Sequence, residues 1–201
     1  MKIFIDPQFG STIYGGRVQM PDGSRVYGKD ITFSIAMYLK ELIERATYNQ
    51  VFLSRQGDEC ISKERNLAME GIERAFFCRK LNCDVAISIG VRWNGQRKED
   101  RGSSIVYTRV KTTRSRYLAG TVLKHLVEET GIPNKVFTGA KTYFLMACNC
   151  EGVDIKPVTL SNPQDFEFII DPNNQYKTAL AIFNALKEFY GLRFKLKSDI
   201  I

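Results

Sequence analysis

The chain predicts a three-layer α/β fold, and three observations predict it. Short β-branched runs alternate with amphipathic stretches from one end of the sequence to the other. The stretch 84–90, DVAISIG, carries four branched or small apolar side chains with no proline and no lysine, the composition of a strand covered on both faces. A length of 201 residues with 44% hydrophobic and 25% charged side chains suits one domain over 1–201 with a sizeable core.

Residues 2–5 read as a short apolar strand that Asp6-Pro7 should stop, because proline gives no donor to a ladder. The segment 8–28, with Gly10, Gly15, Gly16, Gly23 and Gly28, reads as a long loop of active-site type. It lacks the G-x-G-x-x-G spacing, so no dinucleotide site is expected. Over 29–45 the positions Ile31, Ile35, Tyr38, Leu39, Leu42 and Ile43 recur at helical spacing. A second strand is predicted at 51–54 and a second helix at 62–81, with Ser62 as N-cap and Arg65 where a capping box would place glutamate. The central strand 84–90 follows. In an open α/β sheet ligands bind beyond the carboxyl ends of such strands, which directs attention to Gly90, Val91, Arg92 and Trp93. None of the four is an acid, a base or an obvious metal ligand.

Further strands are predicted at 104–108, 142–146 and 153–160. The helix predicted at 115–129 has the inner stripe Leu118, Val122 and Leu126, with Val127 as a further candidate, and Gly131 and Pro133 close it. Asp171-Pro172 opens the last helix, Ala179, Ile182, Phe183, Leu186 and Tyr190 form its apolar face, and Gly191 ends it. The sequence has no internal repeat and no low-complexity linker.

No run approaches the ~18 apolar residues that cross a bilayer. The start MKIFID enters a strand pattern without a leader, so the chain as given is expected to be cytoplasmic unless a leader has been trimmed. Cys60, Cys78, Cys83, Cys148 and Cys150 are odd in number and lack C-x2-C pairing, which suits free thiols in a reducing compartment. Cys148-Asn149-Cys150 brings two thiols close, a pair that admits a soft metal or a redox cycle. Two ligands do not complete a site, and each reads more simply as a small buried hydrophobe. The net charge of +7 is concentrated in 92–101 and 109–124, interleaved with Tyr107 and Tyr117. Without a helix-turn-helix, RNP or finger signature, a solvated surface is preferred over a phosphate-tracking one.

Five strings in order carry a resemblance. IFIDPQFGS resembles a first strand ending in D-P-G-H-G-G, GKDITFSIAMYLKELIE a helix beginning G-x-x-E-K-x-x-N-L-A, and VFLSR a V-x-L-T-R strand. DVAISIGVRWN is similar to D-x-F-I-S-I-H-A-N, and VDIKPVTLSNPQD to V-L-V-E-x-G-F-L-S-N-x-x-D. Together they resemble the zinc-dependent N-acetylmuramoyl-L-alanine amidases of bacterial autolysins and phage endolysins, which cut peptidoglycan in the cell wall. The resemblance implies a mixed central sheet of about six strands flanked by helices.

The departures fall on the chemistry. By that resemblance the first histidine ligand becomes Phe9, the glutamate ligand Gly28 and the second histidine ligand Gly90, while the catalytic glutamate becomes Lys156. Catalytic zinc needs about three protein ligands plus a water, and neither phenylalanine nor glycine donates through its side chain. Zinc is therefore expected of the family and not of this chain, and no catalytic or metal residue is assigned. His125, the single histidine, is placed on the outer, solvated side of its helix. A site relocated onto Asp6, Asp22 and Asp30 would be all oxygen and would suit a hard cation rather than zinc.

Lys156 reads in two ways. With Arg92 it puts positive charge where the metal would sit and makes an anion-binding pair, or it pairs with Asp154 two residues back on the same strand face. The expected function is a catalytically inactive amidase homologue, a pseudoenzyme acting as a binding, regulatory or structural protein toward peptidoglycan fragments or a protein partner. The alternatives are an active amidase with a rearranged metal site and a basic polyanion-binding protein. Neither a membrane nor a nucleic acid is an expected partner.

Overall fold

The architecture is that of a computed structural model, which describes residues 1–62, 66–95, 97–109, 112–139, 142–192 and 195. In chain order the elements are β1 (Lys2–Pro7), β2 (Arg17–Gln19), β3 (Arg25–Tyr27), α1 (Gly28–Ala46), β4 (Gln50–Leu53), α2 (Leu67–Lys80) and β5 (Val85–Ile89). Then come β6 (Ser103–Tyr107), α3 (Thr112–Thr130), β7 (Asn134–Gly139), α4 (Tyr143–Ala147), β8 (Glu151–Lys156), α5 (Pro163–Ile169) and α6 (Pro172–Tyr190). The main sheet runs β4-β1-β5-β8-β6-β7. Only β6 against β8 is antiparallel, so the sheet is mixed and six-stranded, with β5 inside it and every β5 residue buried.

Alternation along the strands sorts side chains onto two faces. Ile3, Ile5, Ile87, Ile89, Val153 and Ile155 join one apolar cluster with Ile35 and Leu39 of α1, Leu118 and Val122 of α3, and Ile182 and Leu186 of α6. Phe4, Ala86 and Val106 point the other way, into a smaller cluster with Ala75 and Cys78 of α2, Phe144 and Leu145 of α4, and Cys83, Cys148 and Cys150. Each fully buried Ile or Leu contributes about 1.5–3 kcal/mol, so the first face carries most of the hydrophobic stabilisation. Among the described residues no helix is long and apolar enough to cross a membrane.

Several sequence expectations are corrected. β1 does not stop at Asp6-Pro7: Asp6 pairs with Ser88 and Pro7 with Ile89. Register with β4 ends at Ile5↔Leu53, so the missing proline N–H falls beyond the neighbouring strand and no ladder bond is lost. The loop 8–28 contains the β2–β3 hairpin. α2 starts later than 62, with Asn66 as the cap accepting from Met69 N at 2.9 Å, while Ser62 N donates to Glu70 Oε1 at 2.8 Å. Arg65 lies outside the described residues.

The strand predicted at 142–146 is α4, started by Thr142 Oγ1, which accepts from Leu145 N at 3.1 Å. A short apolar run does not separate strand from helix, and here the cap decides. The strand predicted over 153–160 is β8 and ends at Lys156, before Pro157. β7 and α5 were not predicted. β7 is an edge strand of mixed polarity, and α5 is marked by the Asn162 cap and Pro163 that follow the family-like segment. Val127 is 40% exposed while Leu118, Val122 and Leu126 are buried. α6 follows its prediction, with Asp171 accepting from Asn173 N at 2.8 Å and Gly191 in the left-handed region at φ 59°.

Candidate functional site

The carboxyl ends of β1, β5 and β8 lie side by side, and their register aligns Asp6 with Ser88 and Ser88 with Asp154 on one sheet face. Three polar residues buried in a row must be satisfied internally. Asp6 Oδ2 accepts from Ser88 Oγ at 2.8 Å, and Asp6 Oδ1 accepts from Ser54 Oγ at 2.7 Å. Gln8 Nε2 closes the row, donating to Ser88 Oγ at 2.9 Å and to Asp154 Oδ1 at 2.8 Å. Burial holds the Asp154 carboxyl above the usual carboxylate range, with Asp6 adding to the effect and Lys156 and Gln8 opposing it. Lys156 Nζ stands 3.9 Å from Asp154 Oδ2.

α2 supplies the side wall. Arg74 and Glu70, four apart on one helix face, are both buried, with Arg74 Nη2 2.9 Å from Glu70 Oε2. Arg74 also reaches Asp6 Oδ1 at 3.3 Å, Pro7 O at 3.2 Å and Phe9 O at 2.7 Å. Arg55 donates from Nε to Pro7 O at 3.0 Å and from Nη2 to Lys29 O at 2.7 Å. Two arginines therefore pin the chain where it leaves β1.

Two open spaces meet at this point and share Gln8, Phe9, Leu67 and Lys156 in their walls. One, of about 290 Å³, extends toward Glu70, Arg74, Tyr143 and Asp154. The other, of about 530 Å³, extends toward Gly15, Gly16, Arg92 and the half-exposed Trp93.

The structure brings Phe9, Gly28, Gly90 and Lys156 to the same end of the sheet, around Gln8. Phe9 takes φ 71° and lays its ring so close to Gly15 that a Cβ there would sit 2.2 Å from the ring. A Cβ on Gly28 would lie 2.6 Å from Gly15 O and 2.7 Å from Val91 Cγ2. A Cβ on Gly90 would lie 2.4 Å from Gln8 Oε1. The space that a side chain at 90 would occupy is held by the side chain of Gln8. Against zinc the donor set fails on its chemistry: a ring and two hydrogens offer no lone pair, and an ammonium repels a cation.

Arg92 belongs to a different network. Its guanidinium donates to Asp100 Oδ2 at 2.9 Å and to Thr159 Oγ1 at 3.1 Å, and Lys135 shares the same carboxylate. It touches the larger cavity with its charge already matched. Asp6 is buried in the row just described, whereas Asp22 and Asp30 are exposed, and among the described residues no three His, Cys, Asp or Glu side chains stand together as a metal site. His125 is not solvated as expected: its side chain is 16% exposed and Nε2 lies 2.8 Å from Glu188 Oε2, a pair that bridges α3 and α6. Gln8 was missed by sequence reasoning. The signal was present, because by the resemblance Gln8 stands at the first glycine of D-P-G-H-G-G and Gly90 at the histidine.

Residues 3–188 match the family described as N-acetylmuramoyl-L-alanine amidase. No curated protein matches the chain. Among solved structures, an N-acetylmuramoyl-L-alanine amidase from Clostridium difficile 630 is 23% identical, covering 94% of this chain and 96% of its own, with a TM-score of 0.82. The catalytic domain of CwlV from Bacillus (Paenibacillus) polymyxa var. colistinus is 18% identical over 96% and 99%, with a TM-score of 0.81. The CwlD amidase from Clostridioides difficile, in complex with the GerS lipoprotein, is 22% identical over 94% and 98%, with a TM-score of 0.79.

Proposed function

The chain belongs to the N-acetylmuramoyl-L-alanine amidase family, and on that premise we propose that it keeps the amidase frame without the hydrolytic chemistry and acts as a binding or regulatory protein toward peptidoglycan fragments. One observation carries the proposal: Gln8 fills the space beside Gly90 and is bonded into Ser88 and Asp154, so protein stands at the centre of the cleft. Losing donors alone would leave an empty pocket that water or another ligand could enter. Filling the pocket with a hydrogen-bonded side chain makes the change part of the packing.

The walls retain recognition chemistry. Lys156 suits a ligand carboxylate and Asp154 and Glu70 suit an amine, while Arg74 is held by Glu70 and Asp6 and shapes the wall. A stem peptide offers both groups. Trp93 at the rim of the larger space gives a sugar ring an apolar face to stack on. A protein partner is the second reading, favoured by the CwlD structure, in which an amidase of this fold holds a lipoprotein.

The test uses the purified chain with zinc supplied and a muropeptide as ligand. Expected outcomes are no stoichiometric zinc, no cleavage between lactyl group and L-alanine, and binding that Lys156→Glu weakens at least about tenfold, ~1.4 kcal/mol. Bound zinc with cleavage overturns the proposal, and muropeptide binding indifferent to Lys156→Glu removes that residue from the site.

A further inference from the structure

Four of the five cysteines meet behind the cleft, on the α2 and α4 side of the sheet. Cys78 lies in the last turn of α2, Cys83 two residues before β5, Cys148 caps the C-terminus of α4, and Cys150 directly precedes β8. All are buried, Cys78 completely and Cys83 least, at 8% exposure. The sulfurs of Cys78 and Cys150 are 3.9 Å apart. Cys83 and Cys148 pack into the same buried cluster as these two. Every one is a thiol rather than half of a disulfide.

Tight turns flank the cysteines. Asn82, just before Cys83, has φ 51°, and Asn149, between Cys148 and Cys150, has φ 57°. Asparagine adopts the left-handed region more readily than other side chains, so both positions serve as tight turns. Cys83 N donates to Cys78 O at 3.4 Å, which holds those two backbones together.

We propose that Cys78, Cys83, Cys148 and Cys150 form a thiol–disulfide exchange site, with Cys83 as the entry thiol and a Cys78–Cys150 bond as its oxidised state. Cys83 is the most exposed of the four. Donation from the Cys78 thiol pulls the Cys83 thiol down, helped by the Lys2 ammonium, which itself bonds Leu81 O at 3.0 Å. Contact with the neighbouring thiols pushes Cys78 up, and burial pushes Cys148 up. The oxidant is a small-molecule disulfide. Cys83 thiolate attacks one of its sulfurs, forming a mixed disulfide and releasing one thiolate. Cys78 attacks the Cys83 sulfur, passing its proton to the second half of the oxidant as it leaves. Cys150 then attacks the Cys78 sulfur, its proton passing by way of the departing Cys83 sulfur to the first thiolate released, and the Cys83 thiolate is restored. Two electrons pass from the protein to the oxidant, which leaves as two thiols. Starting from 3.9 Å, the Cys78 and Cys150 sulfurs close by about 2 Å to reach bonding distance.

The bond would join two elements that carry the cleft. Glu70, Arg74 and Cys78 follow one another at i, i+4 spacing along one face of α2, and β8 runs from Cys150 to Asp154 and Lys156. Oxidation therefore fastens the side wall of the cleft to its floor. The inference is independent of whether the cleft hydrolyses or binds.

The experiment treats the full-length folded protein with oxidised glutathione and follows alkylatable thiols, linked peptides and Tm. Expected results are the loss of two thiols, a Cys78–Cys150 linked peptide and a Tm rise of at least about 5 °C. Cys83→Ser should slow the reaction at least about tenfold without changing the final bond, and Cys150→Ser should stop it at Cys78–Cys83. Three results overturn the proposal. All four thiols survive oxidant that links them in the unfolded chain, only Cys60 is modified, or the native protein carries a thiophilic cation that must be stripped before any sulfur reacts.

Discussion

Along β1, β5 and β8 the two faces of one sheet are made from the same strands and held by different forces. Toward α1, α3 and α6 the inward residues are isoleucine and valine packed in one apolar cluster, with Glu151 at the start of β8 as the polar exception, held by Arg114 of α3 and Tyr190 of α6. Toward α2 and α4 the same strands present Asp6, Ser88 and Asp154, equally buried and satisfied by hydrogen bonds to one another, to Gln8 and to Arg74. The first face tolerates exchange of one apolar residue for another at modest cost. In the second, each group is the partner of the next, and a change at one position has to be answered at another. Gln8 beside Gly90, bonded to Ser88 and Asp154, is one link in that chain of partners.

The largest effect expected from this contrast is on the polar face. Arg74→Leu leaves Glu70 and Asp6 as buried carboxylates without their cation, and urea unfolding should show a loss of about 3–5 kcal/mol. Ile87→Ala on the apolar face opens a cavity and should cost about 2–5 kcal/mol. The distinction lies in the remedy: Ile87→Val should recover most of the loss, whereas Arg74→Lys should not, because lysine cannot span Asp6, Pro7 and Phe9 with one ammonium. Equal recovery at both sites would break the comparison.

Rebuilding the donor set sharpens it next. Phe9→His, Gly28→Glu, Gly90→His and Lys156→Glu made together return every donor named by the resemblance, yet the new histidine at 90 meets Gln8 and the new glutamate at 28 meets Gly15 O and Val91. Zinc titration should therefore find weak binding. Adding Gln8→Gly and Val91→Ala should tighten it about a hundredfold, ~2.8 kcal/mol. Tight zinc in the first set alone would mean that Gln8 moves aside easily and is not part of the packing.

The two faces also differ in how far the sequence discloses them. α1 and α6 announce themselves through apolar spacing, and α6 through Asp171, Pro172 and Gly191 as well, because those signals are local and repeat every turn. The positions Phe9, Gly28, Gly90 and Lys156 were legible only against the pattern of a family. What filled them was not, since Gln8 acts through residues 80 and 146 positions away. Cys148 and Cys150 could be seen as neighbours, but Cys78 meets Cys150 across 72 residues through the packing of α2 on the sheet, which no local pattern encodes. α4 was mistaken for a strand because five apolar residues satisfy either period, and the deciding hydrogen bond is the cap made by Thr142.

The smallest predicted effect tests the electrostatics of the polar face. Asp154 has its carboxyl raised mainly by burial, so the folded chain holds that proton more tightly than the unfolded one. Its contribution to stability is fully present below the ordinary carboxylate value and is lost as pH rises through the raised value. Asp154→Asn keeps an oxygen for Gln8 Nε2 and cannot ionise. Unfolding curves of parent and variant should diverge across that window, the parent losing stability relative to the variant as pH rises, and run parallel above and below it. If Lys156 instead held Asp154 ionised in the folded chain, the divergence would reverse, the parent gaining stability relative to the variant as pH rises through the ordinary carboxylate value, and the row from Asp6 to Asp154 would be an ion-pair chain rather than a hydrogen-bonded one.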